Sequence, residues 1–317
     1  MTDEEFRALV EPHRRELLAH CYRILGALHD AEDALQDALV RAWRGLAAFE
    51  GRSTLRRWLY TIATRTSLDL AERRRARTLP LYELPPGDAS SGLPPPPAEG
   101  GGWIEPIPDD LIADAAPGPE ARVSARESVA FAFLAVMQTL PPRQRAAFVL
   151  RDVAGYSATE TAEILELSVA ATNSALQRAR EALAARPAIA PDAAVDPELL
   201  ARFVAACEHR DADALIALLA RDVSFSMPPL PLWLSGIEQC GAFVRDVLFT
   251  VPTMRDQRLA PARANRLPAL VAHARDASGT FVPAALDVLV VRDGRIAELH
   301  AFLAIGDFID VARFQTR

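Results

Sequence analysis

The stretch from Leu140 to Leu183 constrains this chain more than any other part of it. Ser157-Ala158-Thr159-Glu160 is a capping box: the serine hydroxyl accepts a free amide of the first turn and Glu160 reaches back. Thr161, Ile164 and Leu165 add a short apolar stripe, and after a tight turn at Glu166-Leu167, Ser168 supplies a second N-cap. From there Val169, Thr172, Leu176, Ala179 and Leu183 recur at helical spacing and predict one buried face. Asn173, Ser174, Gln177, Arg178 and Arg180 fall largely off that stripe. A short helix, a tight turn and a second helix with its polar face outward is the geometry that enters a major groove. There Asn and Gln pair with adenine and Arg with guanine. An ordinary helical hairpin with a solvated polar face fits the same spacing, so spacing alone leaves both readings open.

The first segment separates them. Phe6, Leu9, Val10, Leu17, Cys21 and Ile24 predict one amphipathic helix. Asp30 reads as the cap of a second, in which Ala31, Ala34, Leu35, Ala38, Leu39, Ala42, Trp43 and Leu46 keep helical spacing. Its other face shows Asp33, Gln36, Asp37, Arg41 and Arg44. After a loop at Phe49–Ser53, a third helix turns Leu55, Trp58, Leu59, Ile62 and Ala63 inward, with Arg56, Arg57, Thr61, Thr64, Arg65, Arg73 and Arg74 exposed.

With both segments in view the chain resembles a known family. DAEDALQDALVRAWR (Asp30 to Arg44) resembles the sigma-factor helix that docks on the clamp helices of RNA polymerase. FEGRSTLRRWLYTIATRTSLDLAERRR (Phe49 to Arg75) is similar to the part that melts and reads the minus-ten element, and Leu140 to Leu183 to the domain that reads the minus-thirty-five element. The two blocks, in this order and separation, resemble the extracytoplasmic-function (ECF) sigma factors. The resemblance implies that Asp33, Gln36, Asp37 and Arg41 engage core polymerase. It implies that the Phe49–Thr54 loop, with Phe49, Arg52 and Ser53, holds an unstacked minus-ten base. Arg56, Arg57, Tyr60, Thr61, Thr64 and Arg65 would contact the separated strand by charge and stacking. Arg143 and Arg145 are expected on phosphate, and Asn173, Ser174, Gln177 and Arg178 on minus-thirty-five bases. Two departures stand out: Arg65 where relatives commonly show Asn, and Asn173 and Ala175 where they often carry Lys or Arg. Fewer cations there imply weaker minus-thirty-five binding.

Composition agrees. Lysine is absent, so all 35 basic residues are arginine, which with abundant Ala and Pro points to a GC-rich bacterial genome. The net charge of −7 argues against non-specific coating of nucleic acid. It is unevenly spread: residues 1–78 hold 14 Arg against 12 acids and 119–190 hold 8 against 7, whereas 79–118 hold 7 acids and no base. Both DNA-facing modules are thus only mildly positive, which implies poor affinity for DNA without polymerase. Cys21, Cys207 and Cys240 lie far apart, with neither metal spacing nor a disulfide framework, so a reducing cytoplasm is expected. No signal-like or membrane-spanning apolar run is seen, and no metal or cofactor is called for.

Residues 79–118 form a linker rich in acid and turn-formers, with Pro85-Pro86-Gly87, Ser90-Ser91-Gly92 and Pro94 to Pro97 unsuited to helix or strand. Trp103 to Ile112 is too apolar for a spacer and reads as a strap that docks on a neighbouring domain or on polymerase. Beyond Pro197 come two helical patterns, a strand at Val223–Met227, a helix from Ile237 to Leu248, and strand-like runs at Leu259–Ala264, Ala269–Arg275, Phe281–Val291 and Arg295–Leu303. Asp293-Gly294 marks a hairpin. Helices followed by an antiparallel meander predict an α+β domain. Phe203 to Gly236 together with Arg292 to Phe302 resembles the SnoaL-like domains that some ECF sigma factors carry at the C-terminus. Such domains enclose a conical pocket, so Met227, Trp233, Phe243 and His300 are candidate lining residues. Asp287, Glu298 and His300 alternate along the strand patterns and are the groups an acid–base reaction would use, but no pair has a diagnostic spacing.

The expected architecture is multidomain: two all-α sigma domains, region 2 at 1–78 and the helix-turn-helix region 4 at 119–187, joined by the linker 79–118. An α+β cone-shaped SnoaL-like domain follows at 196–317. The expected function is promoter recognition with core RNA polymerase and promoter DNA as partners. The third domain would act in cis, with an unknown small molecule as a possible ligand, and not as an enzyme. The Trp103–Ile112 strap and the Met227–Trp233 loop are the surfaces expected to pair. Two other classes fit less of the sequence: a SnoaL-like enzyme or ligand-binding protein with a DNA-binding front, and a helix-turn-helix regulator that never joins polymerase.

Overall fold

The computed structural model describes residues 2–51, 53–95, 102–112, 121, 123, 127–185, 195–252, 256–306 and 308–315. These fall into two units, Met1–Thr78 with Ile104–Ala188, and Leu79–Trp103 with Ile189–Arg317. The span expected to be one linker is therefore divided at Trp103 between them.

In the first unit, helix α1 (Asp3–Leu25) starts at a capping box between Thr2 and Glu5 and ends at Gly26, whose φ of 76° lies in the left-handed region glycine favours. Helix α2 (Leu28–Gly45) and helix α3 (Leu55–Arg73) pack on it and on each other. Ala31, Ala34, Ala38 and Ala42 are buried along α2, a small-residue face that lets neighbouring backbones approach closely. Asp30 is not the cap expected of it. It lies one turn inside α2, buried, and binds Arg74 and, at 2.7 Å, Arg77 beyond the end of α3. Its partners are distant in sequence, so a local signal misassigns it.

The segment after Trp103 is core, not tether. Ile104 and Ile107 are fully buried. Glu105 donates its amide to the Gly26 carbonyl at 3.0 Å, and its carboxylate meets His29 at 2.6 Å and Arg77 at 3.6 Å. The hydrogen bond to Asp30, with that to Glu105, pushes the His29 imidazole up to about 9.

The segment expected to be region 4 comprises α5 (Phe131–Gln138), α6 (Pro142–Phe148) with a wide turn at Val149–Val153, α7 (Ala158–Leu165) and α8 (Val169–Ala184). The Ser157–Glu160 capping box and the Ser168 cap both form, and Glu166 turns the chain with φ 55°. Each cap contributes about 1 kcal/mol. Arg180, expected on the exposed side of α8, is tied to Asp152 by two hydrogen bonds of 2.8 and 2.6 Å.

The second unit begins with a one-turn helix, α4 (Pro80–Glu83), and continues with α9 (Pro197–Glu208) and α10 (Ala212–Ala217). Strands β1 (Leu219–Ser226) and β2 (Trp233–Ser235) precede α11 (Gly236–Asp246), and β3 (Arg258–Ala264), β4 (Leu267–Arg275), β5 (Phe281–Arg292) and β6 (Arg295–Leu303) follow it. The strand order is β2-β1-β6-β5-β4-β3. All pairs are antiparallel except β1 with β6, which is parallel, so the meander is closed by a long crossover that local signals cannot predict. Asp293 (φ 54°) and Gly294 (φ 67°) take the paired positive angles of a two-residue hairpin turn. Helix residues Phe203, Cys207, Leu215 and Phe243 enclose a core with one face of the sheet: Phe225, Leu270, Leu289, Leu299 and Ala301.

Part of the former linker is fastened to this unit. The Trp233 indole donates to the Leu84 carbonyl at 2.8 Å, Gly87 donates to the Trp233 carbonyl at 2.8 Å, and Ala89 to Gln239 at 2.9 Å. The Trp103 indole donates to Pro229 at 2.9 Å, so the strap meets the Met227–Trp233 loop through its first residue. Proline and glycine there exclude long helices but not a fitted extended path.

Candidate functional site

On α2, Asp33, Gln36, Asp37 and Arg41 are all exposed. Asp33 and Gln36 border a groove of about 760 Å³ between α1 and α2, lined also by Phe6, Val10, Leu39 and Trp43. Phe6 meets Trp43 edge-on at 5.1 Å. Arg41 pairs with Asp69 at 3.2 Å and Asp33 lies 3.7 Å from Arg74, both in solvent where such pairs contribute little. An apolar groove with a polar rim accepts an amphipathic helix.

The minus-ten candidates divide into three groups. Phe49 packs on Trp58 at 4.9 Å and, like Ser53, is half-buried beside the loop; Arg52 lies outside the described residues. Thr64, expected exposed, and Tyr60, expected to contact the separated strand, are both buried. They share the inward stripe Tyr60-Ala63-Thr64-Ser67, with the Thr64 hydroxyl donating to the Tyr60 carbonyl at 2.7 Å and within 2.8 Å of His20. Burial depresses that histidine to about 3, so it is neutral. Thr61 is half-buried and donates to the Arg57 carbonyl at 2.9 Å.

The three arginines meet region 4. Arg56 binds Glu16 at 2.9 Å and the Tyr156 hydroxyl at 3.3 Å, with its guanidinium 4.6 Å from the Tyr60 ring centre. Arg57 pairs with Glu163 and lies 3.9 Å from Glu160; Arg65 pairs with Glu166 at 2.6 Å. The sequence marks Glu160 only as a capping partner and Glu166 only as a turn residue, and Glu163 was not singled out. Their spacing of three along one helix face was the available signal.

On α8, Asn173, Ser174, Gln177 and Arg178 are exposed, while Thr172, Ala175, Leu176 and Ala179 are buried. Gln177 bonds Glu181 at 2.9 Å; Asn173 and Arg178 hold no side-chain partner among the described residues. Arg143 is exposed. Arg145 is a correction: it is buried and reaches no phosphate in this arrangement. Its guanidinium donates to the carbonyls of Ile24, Gln138 (3.2 Å) and Leu140 (3.1 Å) and to the Gln138 side chain at 2.6 Å. Burial lowers it to about 10, leaving it charged at neutral pH. It serves as a cationic cap at the carbonyl end of α1. Gln138 joins it, donating to Ile24 at 3.1 Å, and a Cβ on Gly26 would stand 2.9 Å from that amide.

In the second unit, Met227 and Phe243 belong to the core between helices and sheet, with the Phe243 ring 5.5 Å from that of Phe225 and tilted against it by 56°. Trp233 holds Leu84 instead of lining the cone. His300 is also corrected. Strand alternation puts Leu299 and Ala301 on the core face and Glu298 and His300 on the other, beyond a bulge between Val290 and Val291 that resets the register. His300 bonds Ser226 at 2.8 Å and Glu298 at 3.0 Å, and all three are buried, Ser226 at 1% exposure.

Asp287 does face the core. It lies on β5 between Ala285 and Leu289, opposite Leu270 and Ala301. Burial pushes its carboxyl up to about 7, with no charged neighbour opposing, and no side chain partners it among the described residues. A raised carboxyl value means that the folded chain holds a proton the unfolded chain has lost. Stability from this group is therefore full below the unfolded value and falls as pH rises to about 7. Asp287→Asn should remove that fall. Relative to the unsubstituted chain, its stability should rise by about 2 kcal/mol between acidic and mildly alkaline pH, allowing for partial solvation. Thermal melts of both proteins across that range check it, and parallel pH profiles would refute it.

Family comparison follows the same division of the chain. Residues 9–77 match Sigma-70 region 2, 130–183 match Sigma-70 region 4, and 200–299 match a SnoaL-like domain. The ECF RNA polymerase sigma factor SigG of Mycobacterium tuberculosis is 40% identical, over 94% of this chain and 81% of its own length. SigJ of the same organism is 34% identical over 71% of this chain and 64% of its own. The crystal structure of SigJ superposes with a TM-score of 0.55 at 26% identity, covering 95% of this chain and 96% of SigJ. Two helical promoter-reading modules ahead of a SnoaL-like domain, together with this identity over nearly the whole chain, make the protein a member of the ECF RNA polymerase sigma factors.

Proposed function

We propose that α2 docks this sigma factor on core polymerase through Asp33, Gln36, Asp37 and Arg41 and the adjoining groove. The Phe49–Thr54 loop and Arg56, Arg57 and Arg65 then engage the minus-ten strand, and α8 reads the minus-thirty-five element through Asn173, Ser174, Gln177 and Arg178. The work is cytoplasmic, alongside polymerase. The C-terminal domain is a regulator in cis with no catalytic step assigned to it, tethered at high effective concentration to both promoter modules.

One observation supports a closed form of the two promoter modules: Arg57 and Arg65, assigned to the minus-ten strand, are occupied by Glu160, Glu163 and Glu166. Two separated promoter elements cannot be reached while these contacts hold, so the arrangement is a closed form. The pairs are largely exposed and contribute about 0.2–1 kcal/mol each, weak enough for polymerase to open them by differential binding.

The test is energy transfer between labels on α3 and α8 of the full chain. A short distance is expected alone and a longer one with core polymerase. Glu163→Gln/Glu166→Gln should raise the open population about fivefold without polymerase, the equivalent of roughly 1 kcal/mol. An unchanged distance on adding polymerase would overturn the closed-form reading.

A further inference from the structure

We infer that the first turn of α8 reads a methyl group in the major groove: Val169, flanked by Ala170, packs against the 5-methyl of one thymine in the minus-thirty-five element. The inference deepens the proposed reading of that element by α8 and rests on it. Spacing places Val169 on the inward stripe of the helix. The buried stripe begins one turn later, at Thr172, and Val169 is left 42% exposed. Of the large apolar residues on α8 it is the exposed one, since Leu176 is buried and Leu183 half-buried. Ala170 and Ala171 beside it are exposed as well.

Side chains four residues apart lie above one another on a helix. Two such rows run along the exposed side of α8, Val169-Asn173-Gln177 and Ala170-Ser174-Arg178. The second and third members of each row carry the polar groups assigned to bases, and the first member of each is apolar. A recognition helix meets base edges chiefly through its N-terminal residues. Side chains also lean toward that end, so Val169 and Ala170 lead the helix into the groove. The apolar feature of a base edge there is the thymine 5-methyl, which cytosine lacks. Charge cannot supply discrimination at this end, because the one charged residue from Val169 to Arg178 is Arg178 itself. The polar members are partly engaged within the helix: the Ser174 hydroxyl donates to the Ala170 carbonyl at 3.0 Å, and Gln177 donates to Glu181 at 2.9 Å. The Ser168 hydroxyl accepts the Ala171 amide at 3.1 Å, which fixes the turn that carries Val169.

The test is a methyl scan of a promoter duplex whose start site has been mapped with core polymerase. The duplex is bound by the full-length chain together with that polymerase. Across the upstream element, on both strands, each thymine is replaced in turn by deoxyuridine and each cytosine by 5-methylcytosine. At one position, loss of the methyl should weaken binding, or its gain strengthen binding, by about fourfold, the effect of burying one such group. Val169→Ser changes an exposed side chain, so the variant should melt like the unsubstituted chain and flatten the response at that position. Arg178→Ala, on the other row, should leave the methyl response in place. A scan flat at every pyrimidine, a response that survives Val169→Ser, or a Val169→Ser loss equal for methylated and unmethylated bases would each overturn the inference. If Arg178→Ala still alters base preference upstream in those cases, the methyl contact alone fails. If no base change in the upstream element affects binding, the reading of that element by α8 fails with it.

Discussion

Asp33→Arg/Asp37→Arg is expected to weaken binding to core polymerase by about 100-fold, on the order of 3 kcal/mol. Both carboxylates project into solvent from α2. The substitutions leave the buried stripe Ala31-Ala34-Leu35-Ala38 untouched, and exposed changes of this kind shift stability by only about 0.5 kcal/mol. Loss of binding with an unaltered melting curve would therefore report the docking face itself. Binding titrations on purified core enzyme, with melts alongside, provide both readouts. Undiminished affinity would move the docking face elsewhere.

Arg145→Ala should cause the largest stability loss in the first unit, about 2–4 kcal/mol. The guanidinium satisfies carbonyls at Ile24, Gln138 and Leu140 from a position only 3% exposed. Truncation strands those acceptors and leaves a void, though removing a buried cation returns part of the loss. For a unit of this size Tm should fall by about 5–10 °C. Since Ile24 belongs to α1 and Gln138 to α5, the same change should loosen region 4 from region 2, seen as a longer α3–α8 distance before polymerase is added. A Tm within about 1 °C of the unsubstituted chain would show that water replaces Arg145 at little cost.

What was legible in the sequence was what is local. The caps at Ser157 and Ser168 lie within three residues of the amides they accept, so α7 and α8 could be placed from pattern alone. The Asp293-Gly294 turn was legible for the same reason: both angles are positive and the sequence shows it. Residues with distant partners were misplaced. Asp30 looks like a cap because it precedes an apolar run, yet Arg74 and Arg77 hold it. Thr64 looks exposed because it is polar, yet the Tyr60 carbonyl and His20 satisfy it inside the helical layer.

Strand alternation separated the two faces of β6 but did not say which one met the helices, so His300 was assigned to the cone while Asp287 alone of the three alternating candidates faces it. Phe131–Gln138 is apolar on nearly all sides and leaves no periodic trace to read as helix. The contact of Arg57 and Arg65 with α7 joins residues about a hundred positions apart and was invisible to spacing.

Transcription reconstituted from core RNA polymerase and the full-length chain on genomic DNA tests the central assignment most directly. The account predicts start sites that appear only when both are present, preceded by two recurring sequence elements at a fixed separation, and lost with Asp33→Arg/Asp37→Arg. Site-specific DNA binding by the chain alone, with no polymerase-dependent start sites, would contradict it.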